Sequence, residues 1–269
     1  MIRVSGKAAV YGELWFDETL PRDPGVDIVH YRHRAEPPPG APCTSSLSLV
    51  IDLSADSEVI LRGFKAICRQ EIRRADTKDG LQCEFLTTPG NRLSAFFEFF
   101  DLFARQKSLP PCNRAWLSAA DRAGRLTLSS ASVKGGDPVV WHAYIHWGHT
   151  VLLHHSVSCF REKDNGTRAL TGRANRWLHW QDMLMFRKMG VKCYDLGGLF
   201  QDESGPEQEG INRFKKGFGG RVERHFEWTA PVTLKGRVYL RLREAWYRWH
   251  FFQARAAASA LPCGKATSW

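Results

Sequence analysis

The sequence has no apolar run near the roughly 18 residues that a membrane-spanning helix needs, so it predicts no transmembrane segment. Its N-terminal stretch, MIRVSGKAAVYGELWFDE, lacks the apolar core of a secretory signal peptide. The seven cysteines include no Cys-x-x-Cys pair, which argues against a zinc site and against a disulfide framework. Together these absences predict a cytoplasmic protein with reduced thiols.

Acidic residues are scarce relative to basic ones. The chain has 28 Asp and Glu against 38 Lys and Arg, which gives a net charge of +10 at pH 7. Such an excess favours an anionic partner: nucleic acid, a nucleotide phosphate or an anionic membrane surface. A basic surface without a specific partner is the alternative interpretation.

The signatures of nucleophilic and metal-dependent catalysis are also missing. There is no Gly-x-Ser-x-Gly motif. His142, His146, His154 and His155 fall on predicted strands, and His179 falls on a predicted helix. Strand histidines are more often satisfied interior or surface groups than metal ligands, so we expect no metal site.

The pattern that is present indicates a mixed α/β (α+β) chain. Apolar periodicity predicts helices over residues 58–75, 91–108 and 172–190. It predicts strands over residues 47–53, 81–86 and 191–196, and an antiparallel meander over 126–132, 139–147 and 150–160. This order is typical of a mixed central sheet flanked by helices.

Basic residues recur on one face of the first predicted helix. Arg62, Lys65, Arg69 and Arg73 follow one another at intervals that place them on the same side. This stripe is either a phosphate-binding track, to which Arg74 is adjacent, or an ordinary solvated surface.

Two glycine-rich stretches carry the most specific signal. Residues 194–198 read YDLGG at the end of a predicted strand, and residues 210–220 read GINRFKKGFGG. Glycines allow positive φ and let another group approach the backbone closely. A cation fixed beside such a backbone can stabilise a developing oxyanion. A basic helix end that turns tightly into a strand is the purely structural alternative.

These stretches closely resemble the C-terminal signature of the FemABX peptidyltransferases, which are aminoacyl-tRNA-dependent enzymes of the GNAT acyltransferase fold. The stretch LSLVIDLS and the basic helix ending in ICRQEIRRA are also similar to that family, and the likeness covers about residues 47–228. FemABX proteins usually contain two complete GNAT-like halves. The resemblance therefore implies an abridged N-terminal GNAT-like lobe at 1–120, a catalytic lobe at 121–235, and a helix with a tail at 236–269.

The resemblance implies transfer of an aminoacyl group from aminoacyl-tRNA to an amine of a cell-wall precursor or peptide, without a further cofactor. The tRNA-binding helical arm of some FemABX members has no counterpart, which leaves an acyl-CoA-dependent N-acyltransferase for sugars or polysaccharide precursors as the alternative. The segment RALTGRA, residues 168–174, stands where GNAT proteins hold pyrophosphate before a helix, with one residue too many. A non-enzymatic RNA-binding protein is a third alternative, although no RNP, KH or OB pattern occurs.

The resemblance also implies residue roles. Lys215 matches the family lysine beside the reacting carbonyl and is expected to stabilise the oxyanion. Phe214 is expected to shape the acyl pocket, whereas Asp195 either orients the acceptor and takes its proton or caps a turn. The remaining substrate-binding candidates are Arg69, Arg73, Arg74, Arg173, Arg176, Tyr194, Arg213, Lys216, Gly217 and Gly219.

Residues 236–258 form a basic, aromatic helix candidate that includes Trp246 and Trp249. We expect it to pack on the domain, with peripheral docking on an anionic membrane surface or contact with RNA as alternatives. The final residues, ALPCGKATSW, are expected to form a tail.

Overall fold

The computed structural model describes residues 1–158, 164–202 and 205–259 of the chain. Its strands are Ile2–Ser5 (β1), Val10–Trp15 (β2), Ile28–Arg34 (β3), Thr44–Asp52 (β4), Leu81–Leu86 (β5), Leu126–Val133 (β6), Pro138–Trp147 (β7), Thr150–Ser158 (β8), Cys193–Leu199 (β9) and Arg221–Pro231 (β10). These described strands form one sheet in the spatial order β1-β2-β3-β10-β4-β9-β8-β7-β6-β5.

The sheet is mixed, as predicted. β2 pairs with β3 and β8 pairs with β9 in parallel, while the other neighbouring pairs are antiparallel. The predicted meander is confirmed as β6-β7-β8. The last strand, β10, lies between β3 and β4, so strands from the beginning and the end of the chain share one sheet. The division into lobes at residues 120 and 235 stays a prediction.

Helices cover both faces of the sheet. They are Ser57–Gly63 (α1), Ala66–Lys78 (α2), Arg92–Lys107 (α3), Arg114–Arg122 (α4), Asn165–Lys188 (α5), Pro206–Lys215 (α6) and Leu234–Ser259 (α7), and a 3₁₀ turn, Lys216–Phe218, follows α6. None of the described helices has the length and hydropathy that crossing a bilayer would require.

Two large hydrophobic cores and one small cluster of Leu14, Val26 and Val29 hold these layers together. On one face, α1, α2 and α5 bury side chains such as Ile60, Ile72 and Phe186 against the sheet. On the other face, α3 and α4 bury side chains such as Phe96 and Leu117. Because helices cover both faces, the central strands β7 and β8 are largely buried.

Two predicted helix boundaries are wrong. The helix predicted over 58–75 is two helices, because Phe64 and Lys65 adopt extended backbone angles and the Lys65 N–H donates to the Gly217 carbonyl at 2.9 Å. The helix predicted to begin at residue 172 begins at Asn165, because the Asp164 carboxylate accepts the N–H groups of Gly166 and Thr167 as an N-cap. The segment 168–174 is therefore part of α5 and not a phosphate-binding loop before it.

The described part of the chain contains five cysteines, all of them free thiols. Cys159 and Cys263 lie outside the described residues, as does the predicted tail over 260–269. α4 is absent from the predicted pattern. α6, which places Lys215, ends in basic residues and is followed by the 3₁₀ turn and β10, which matches the basic helix end turning into a strand given above as the structural alternative.

Candidate functional site

The candidate site lies where β8 and β9 stop pairing. These parallel strands are paired only from Thr150 to Leu152 and from Cys193 to Asp195, although both continue further. In open α/β sheets, ligands bind beyond the carboxyl ends of parallel strands. We call this place the β8–β9 fork.

A cleft of about 1160 Å³ opens at the fork on the side of α5 and α6. Its wall includes Arg176 and His179 from α5, and Phe214 and Lys215 from α6. We call it the α5–α6 cleft. Its size is sufficient for a large activated substrate, since ligand sites commonly measure about 300–1,000 Å³.

A second cleft of about 690 Å³ lies against α3 and α4. Trp15, Trp116 and Phe100 contribute to its wall. We call it the α3–α4 cleft. Both clefts are bordered by the same four residues of the fork, which are Leu153, His154, Gly197 and Gly198. The fork therefore gives two molecules access to one point through two adjoining clefts.

Lys215 stands at this meeting point. Its Nζ donates to the Gly198 carbonyl oxygen at 2.6 Å, and Gly198 borders both clefts. Burial of the amine lowers the pKa of Lys215 to about 8, an effect that the Asp195 carboxylate partly opposes. The side chain is therefore a fixed cation that is only moderately basic.

Phe214 and Arg176 line the α5–α6 cleft together. The Arg176 guanidinium carbon lies 4.7 Å from the centroid of the Phe214 ring, a cation–π contact. Arg176 Nε also lies 2.9 Å from an oxygen of Glu71. Arg176 thus presents a positively charged group to the cleft while being held in place from two sides.

Tyr194 is fully buried behind the cleft wall. Its hydroxyl lies 2.6 Å from the Tyr144 hydroxyl and 2.7 Å from His179 Nδ1. Tyr144 in turn donates to Asp182 Oδ2 at 2.5 Å. Burial raises the pKa of both tyrosines well above the usual value, so the hydroxyls stay protonated. Tyr194 therefore positions His179 and does not line the cleft itself.

Asp195 points to the opposite face of the sheet from Tyr194. Its Oδ1 accepts the Gly197 N–H at 2.6 Å, and its Oδ2 accepts the Ser48 hydroxyl at 2.7 Å. His33 Nε2 lies 2.6 Å from the same Oδ2. Asp195 does not line either cleft at the fork. These contacts fit the turn-capping role better than direct contact with an acceptor.

The arginines of the predicted phosphate track do not reach either cleft. Arg69 donates to the carbonyl oxygens of Phe64 and Arg62, the latter at 3.1 Å, and so bridges the junction of α1 and α2. Arg73 and Arg74 are exposed on α2. The stripe is therefore a surface feature separate from the fork.

The other basic candidates are also placed apart from the clefts. Arg173 forms two hydrogen bonds with Asp79, at 2.7 and 3.0 Å, which tie α5 to α2. Arg213 is exposed and lies 3.8 Å from Glu209 on its own helix. Lys216 is exposed, at the start of the 3₁₀ turn. Of the basic candidates, the structure brings Arg176 and Lys215 together at the cleft.

Gly217 and Gly219 serve packing. The Gly217 carbonyl accepts the Lys65 N–H, as described above. Gly219 has φ +70°, and a Cβ built there would lie 2.4 Å from the Gly63 carbonyl oxygen. Only glycine fits such a position. The two glycines therefore hold the segment after Lys215 against α1 and α2.

Two groups of described residues bring a carboxylate and two imidazoles within 4.8 Å of one another, a spacing compatible with a metal ion. They are His33, Asp195 and His225 in one group, and His142, His179 and Asp182 in the other. Sequence reasoning missed both groups. His179 and Asp182 are three residues apart on one helix, a signal that was available, but their partner His142 comes from another element.

Half-buried histidines at the fork predict acid sensitivity. Burial lowers the pKa of His154 to about 3 and that of His155 to about 4, whereas an unfolded histidine has a pKa of about 6.5. Between these values the unfolded state binds more protons, so stability falls as the pH drops below about 6.5, by up to about 1.4 kcal/mol per pH unit and histidine.

Urea unfolding between pH 7.5 and 5 measures this loss. A His154→Gln, His155→Gln double variant should show a shallower pH dependence than the parent protein. An equal pH dependence of stability in both proteins would show that these two histidines do not cause the loss of stability at low pH.

A family model described as "Acetyltransferase (GNAT) domain" matches residues 62–216. A solved structure of FemX has a TM-score of 0.55 and 13% identity, covering 72% of this chain and 63% of the FemX chain. The chain thus spans less than two thirds of FemX. No curated protein matches the sequence.

A second solved structure is the C-terminal domain (DUF2156) of an Agrobacterium fabrum protein described as a lysylphosphatidylglycerol synthetase. Its TM-score is 0.50 at 13% identity, with 81% of this chain and 71% of that chain covered. At these identities both likenesses concern the fold. They confirm the GNAT-like architecture predicted from the sequence.

Proposed function

The chain belongs to the GNAT acetyltransferase family and is an acyltransferase, and from that premise we propose that it transfers an aminoacyl group from aminoacyl-tRNA to an amine of a cell-envelope precursor or peptide. The observation that carries this proposal is the position of Lys215 at the point where two clefts meet. The FemABX-like motif around Lys215 supports the choice of donor.

The reaction consists of nucleophilic attack by the acceptor amine and loss of the ribose hydroxyl as the leaving group. The acceptor nitrogen attacks the ester carbonyl carbon, which forms the C–N bond and a tetrahedral oxyanion. Collapse of that intermediate breaks the ester C–O bond, and the ribose hydroxyl leaves with the proton that the amine loses. No covalent enzyme intermediate is required. The Lys215 ammonium, held by the Gly198 carbonyl, is placed to donate a hydrogen bond to the oxyanion.

The donor is assigned to the α5–α6 cleft. This cleft is the larger of the two, and its wall carries the cationic side chains of Lys107, Arg168, Arg176 and Lys215. The first half of α5 also borders it, and a helix N-terminus favours negative charge. A polyanionic donor fits this electrostatic environment.

The acceptor is assigned to the α3–α4 cleft. Two carboxylates, Glu13 and Glu227, lie on its wall, and Arg32 bridges them at 3.2 and 2.7 Å. Glu13 also accepts the indole N–H groups of Trp15 and Trp116, which fixes its orientation. Carboxylates beside aromatic walls are suited to an amine-bearing molecule.

Donor choice is the direct test. Purified protein is mixed with labelled aminoacyl-tRNA or with acetyl-CoA, and binding is measured over a range of salt concentrations. Binding of aminoacyl-tRNA that weakens with salt, without acetyl-CoA binding, supports the proposal. Acetyl-CoA binding without aminoacyl-tRNA binding favours the acyl-CoA alternative, to which the acetyltransferase description of the matching family model points. Binding of neither donor contradicts both.

We also propose peripheral contact of α7 with an anionic membrane surface. Exposed apolar side chains recur along one side of α7, namely Leu234, Val238, Leu242, Trp246 and Trp249. On a helix these positions form one stripe, and exposed arginines flank it at positions 237, 241 and 248. The start of α7 is anchored, since Lys235 Nζ lies 3.1 Å from Asp27. A basic amphipathic helix of this kind binds anionic lipid surfaces.

Vesicle flotation tests this contact. The full chain should float with phosphatidylglycerol vesicles and remain at the bottom with phosphatidylcholine vesicles. A Leu242→Glu, Trp246→Glu variant should lose most of the flotation, because both changes place charge on the apolar stripe. Equal flotation of the variant and the parent protein would contradict the assignment.

A further inference from the structure

A second site is formed on the sheet by residues that acyl transfer does not use directly. His33 on β3, His225 on β10 and Asp195 on β9 converge on one face of the sheet, where β4 lies between β10 and β9. We propose that this His33–His225–Asp195 cluster binds a divalent transition-metal ion of the Zn²⁺ class.

The distances fit such an ion. His33 Nε2 lies 2.6 Å and His225 Nε2 lies 3.6 Å from Asp195 Oδ2. The two imidazole rings are stacked with their centroids 3.7 Å apart and their planes 16° apart. Ligand atoms around a tetrahedral zinc ion, with bonds of about 2.0–2.1 Å, lie roughly 3.3 Å from each other. The three ligand atoms all lie within 4.8 Å of one another. Side-chain shifts on the order of 1–2 Å, with rotation of the stacked rings toward a common point, would bring them into that arrangement.

His225 supplies the independent sign of a missing ligand. Its side chain is only 10% exposed, yet neither ring nitrogen has a hydrogen-bond partner among the described residues. An imidazole buried without a partner is costly, and native proteins seldom leave one so. A metal ion would satisfy His225 Nε2, the nitrogen that faces Asp195.

His33 adds backbone strain at the same place. It has φ +54°, in the left-handed region that non-glycine residues rarely adopt. Such strain persists where the surrounding structure fixes a residue, and it is concentrated at ligand and active sites. Here it brings the His33 ring over the His225 ring and onto Asp195.

The surroundings can complete the coordination. The cluster borders a cavity of about 570 Å³ whose wall also contains Glu223 and Cys193, both of which are zinc-ligand types. Glu223 Oε2 lies 3.8 Å from His225 Nε2. Ser48 and the Gly197 N–H hold the Asp195 carboxylate from behind, as outer partners commonly do for ligating groups.

In the other group of similar composition, His179 Nε2 and Asp182 Oδ1 also lack a hydrogen-bond partner among the described residues, but the remaining ligand atoms are engaged. His142 uses both ring nitrogens, at 2.8 Å to Asp182 and at 2.8 Å to Asn175. His179 Nδ1 faces the Tyr194 hydroxyl. Metal binding there would have to break this network, so the structure favours the His33–His225–Asp195 cluster.

The site would act on the fork through Asp195. The Oδ1 atom of Asp195 holds the Gly197 N–H, and the next carbonyl, that of Gly198, holds Lys215. An ion on Oδ2 would fix the fork backbone from the opposite face of the sheet.

The test uses full-length protein freed of metal with a chelator and then titrated with Zn²⁺ or Co²⁺. We expect one equivalent of metal to remain after desalting, visible d–d absorption of four-coordinate Co²⁺, and a higher thermal midpoint. His225→Ala and the closer isostere His225→Gln should weaken binding by at least about 100-fold, with the same circular dichroism spectrum as the parent protein.

Two controls locate the ion. His30→Ala, on the same strand as His33, should keep full binding, as should His179→Ala in the other group. Absence of stoichiometric metal in the parent protein would overturn the proposal. Loss of binding in His179→Ala with retention in both His225 variants would overturn it as well.

Discussion

Replacement of Lys215 by alanine should lower turnover by about 10²–10³-fold, the typical cost of removing one oxyanion donor. Its Nζ donates to the Gly198 carbonyl oxygen at the fork. Among the described residues, no other lysine that lines the α5–α6 cleft makes this hydrogen bond. Stability should change little, because the ammonium is only partly buried. Single-turnover kinetics with the identified donor, together with urea unfolding, measure the two effects separately.

The pH profile provides a second readout for Lys215. Its pKa of about 8 means that the ammonium is lost as the pH rises through that value. The rate of the parent enzyme should therefore fall above about pH 8, although a higher pH frees the acceptor amine. Lys215→Ala should lose this descending limb. Lys188→Ala, an exposed lysine at the end of α5, is the matched control and should retain both the rate and the limb. Parental turnover in a folded Lys215→Ala protein would contradict the assigned role.

Replacement of Gly219 by alanine should destabilise the fold by roughly 3 kcal/mol or more. Two unfavourable effects on the free energy of folding add at this position. The backbone has φ +70° and ψ −136°, a conformation that is strained for any side chain. The new Cβ would also lie 2.4 Å from the Gly63 carbonyl oxygen, which is backbone and cannot move aside cheaply. Urea unfolding at pH 7.5 measures the difference in the free energy of unfolding.

The matched control is Gly63, whose carbonyl oxygen is the atom that a Cβ at Gly219 would approach. A Cβ at Gly63 would meet no atom within 4 Å, so Gly63→Ala should leave stability unchanged or raise it slightly. Stability equal to the parent protein in Gly219→Ala would show that this glycine is free to bind substrate, as its place in the motif first suggested. Loss of donor binding in a variant of full stability would support the same interpretation.

Local patterns explain what could be predicted from the sequence. Alternation and turn residues indicate the β6-β7-β8 meander, because a hairpin is specified by neighbouring residues. The segment GINRFKKGFGG points to Lys215, because the lysine and the glycines that hold its segment lie within one short stretch. Phenylalanines recur at helical spacing in α3, and this spacing is typical of a buried helix face, with Phe96 and Phe100 in the core.

Long-range contacts explain what could not be predicted. His33 and Asp195 are 162 residues apart, and only the pairing of β3 with β10 brings His225 beside them. The arginine at position 173 has a helical neighbourhood typical of a phosphate contact, but its partner is Asp79, 94 residues earlier. The predicted start of α5 at residue 172 is wrong, because glycine is typical of a helix boundary. The Asp164 carboxylate caps the helix at an earlier position instead.

The central position of β10 has a consequence for synthesis of the protein. Arg32 on β3 and Glu227 on β10 are joined by an ion pair across 195 residues, so most of the chain must be translated before this contact can form. Until then β3 and β4 lack the neighbour that lies between them, and each presents an open edge on which other chains can pair. Contacts of such high sequence separation also form slowly. A ribosome that stops before β10 would therefore release two sheet fragments prone to aggregate, and the nascent chain needs protection until its last strand is inserted.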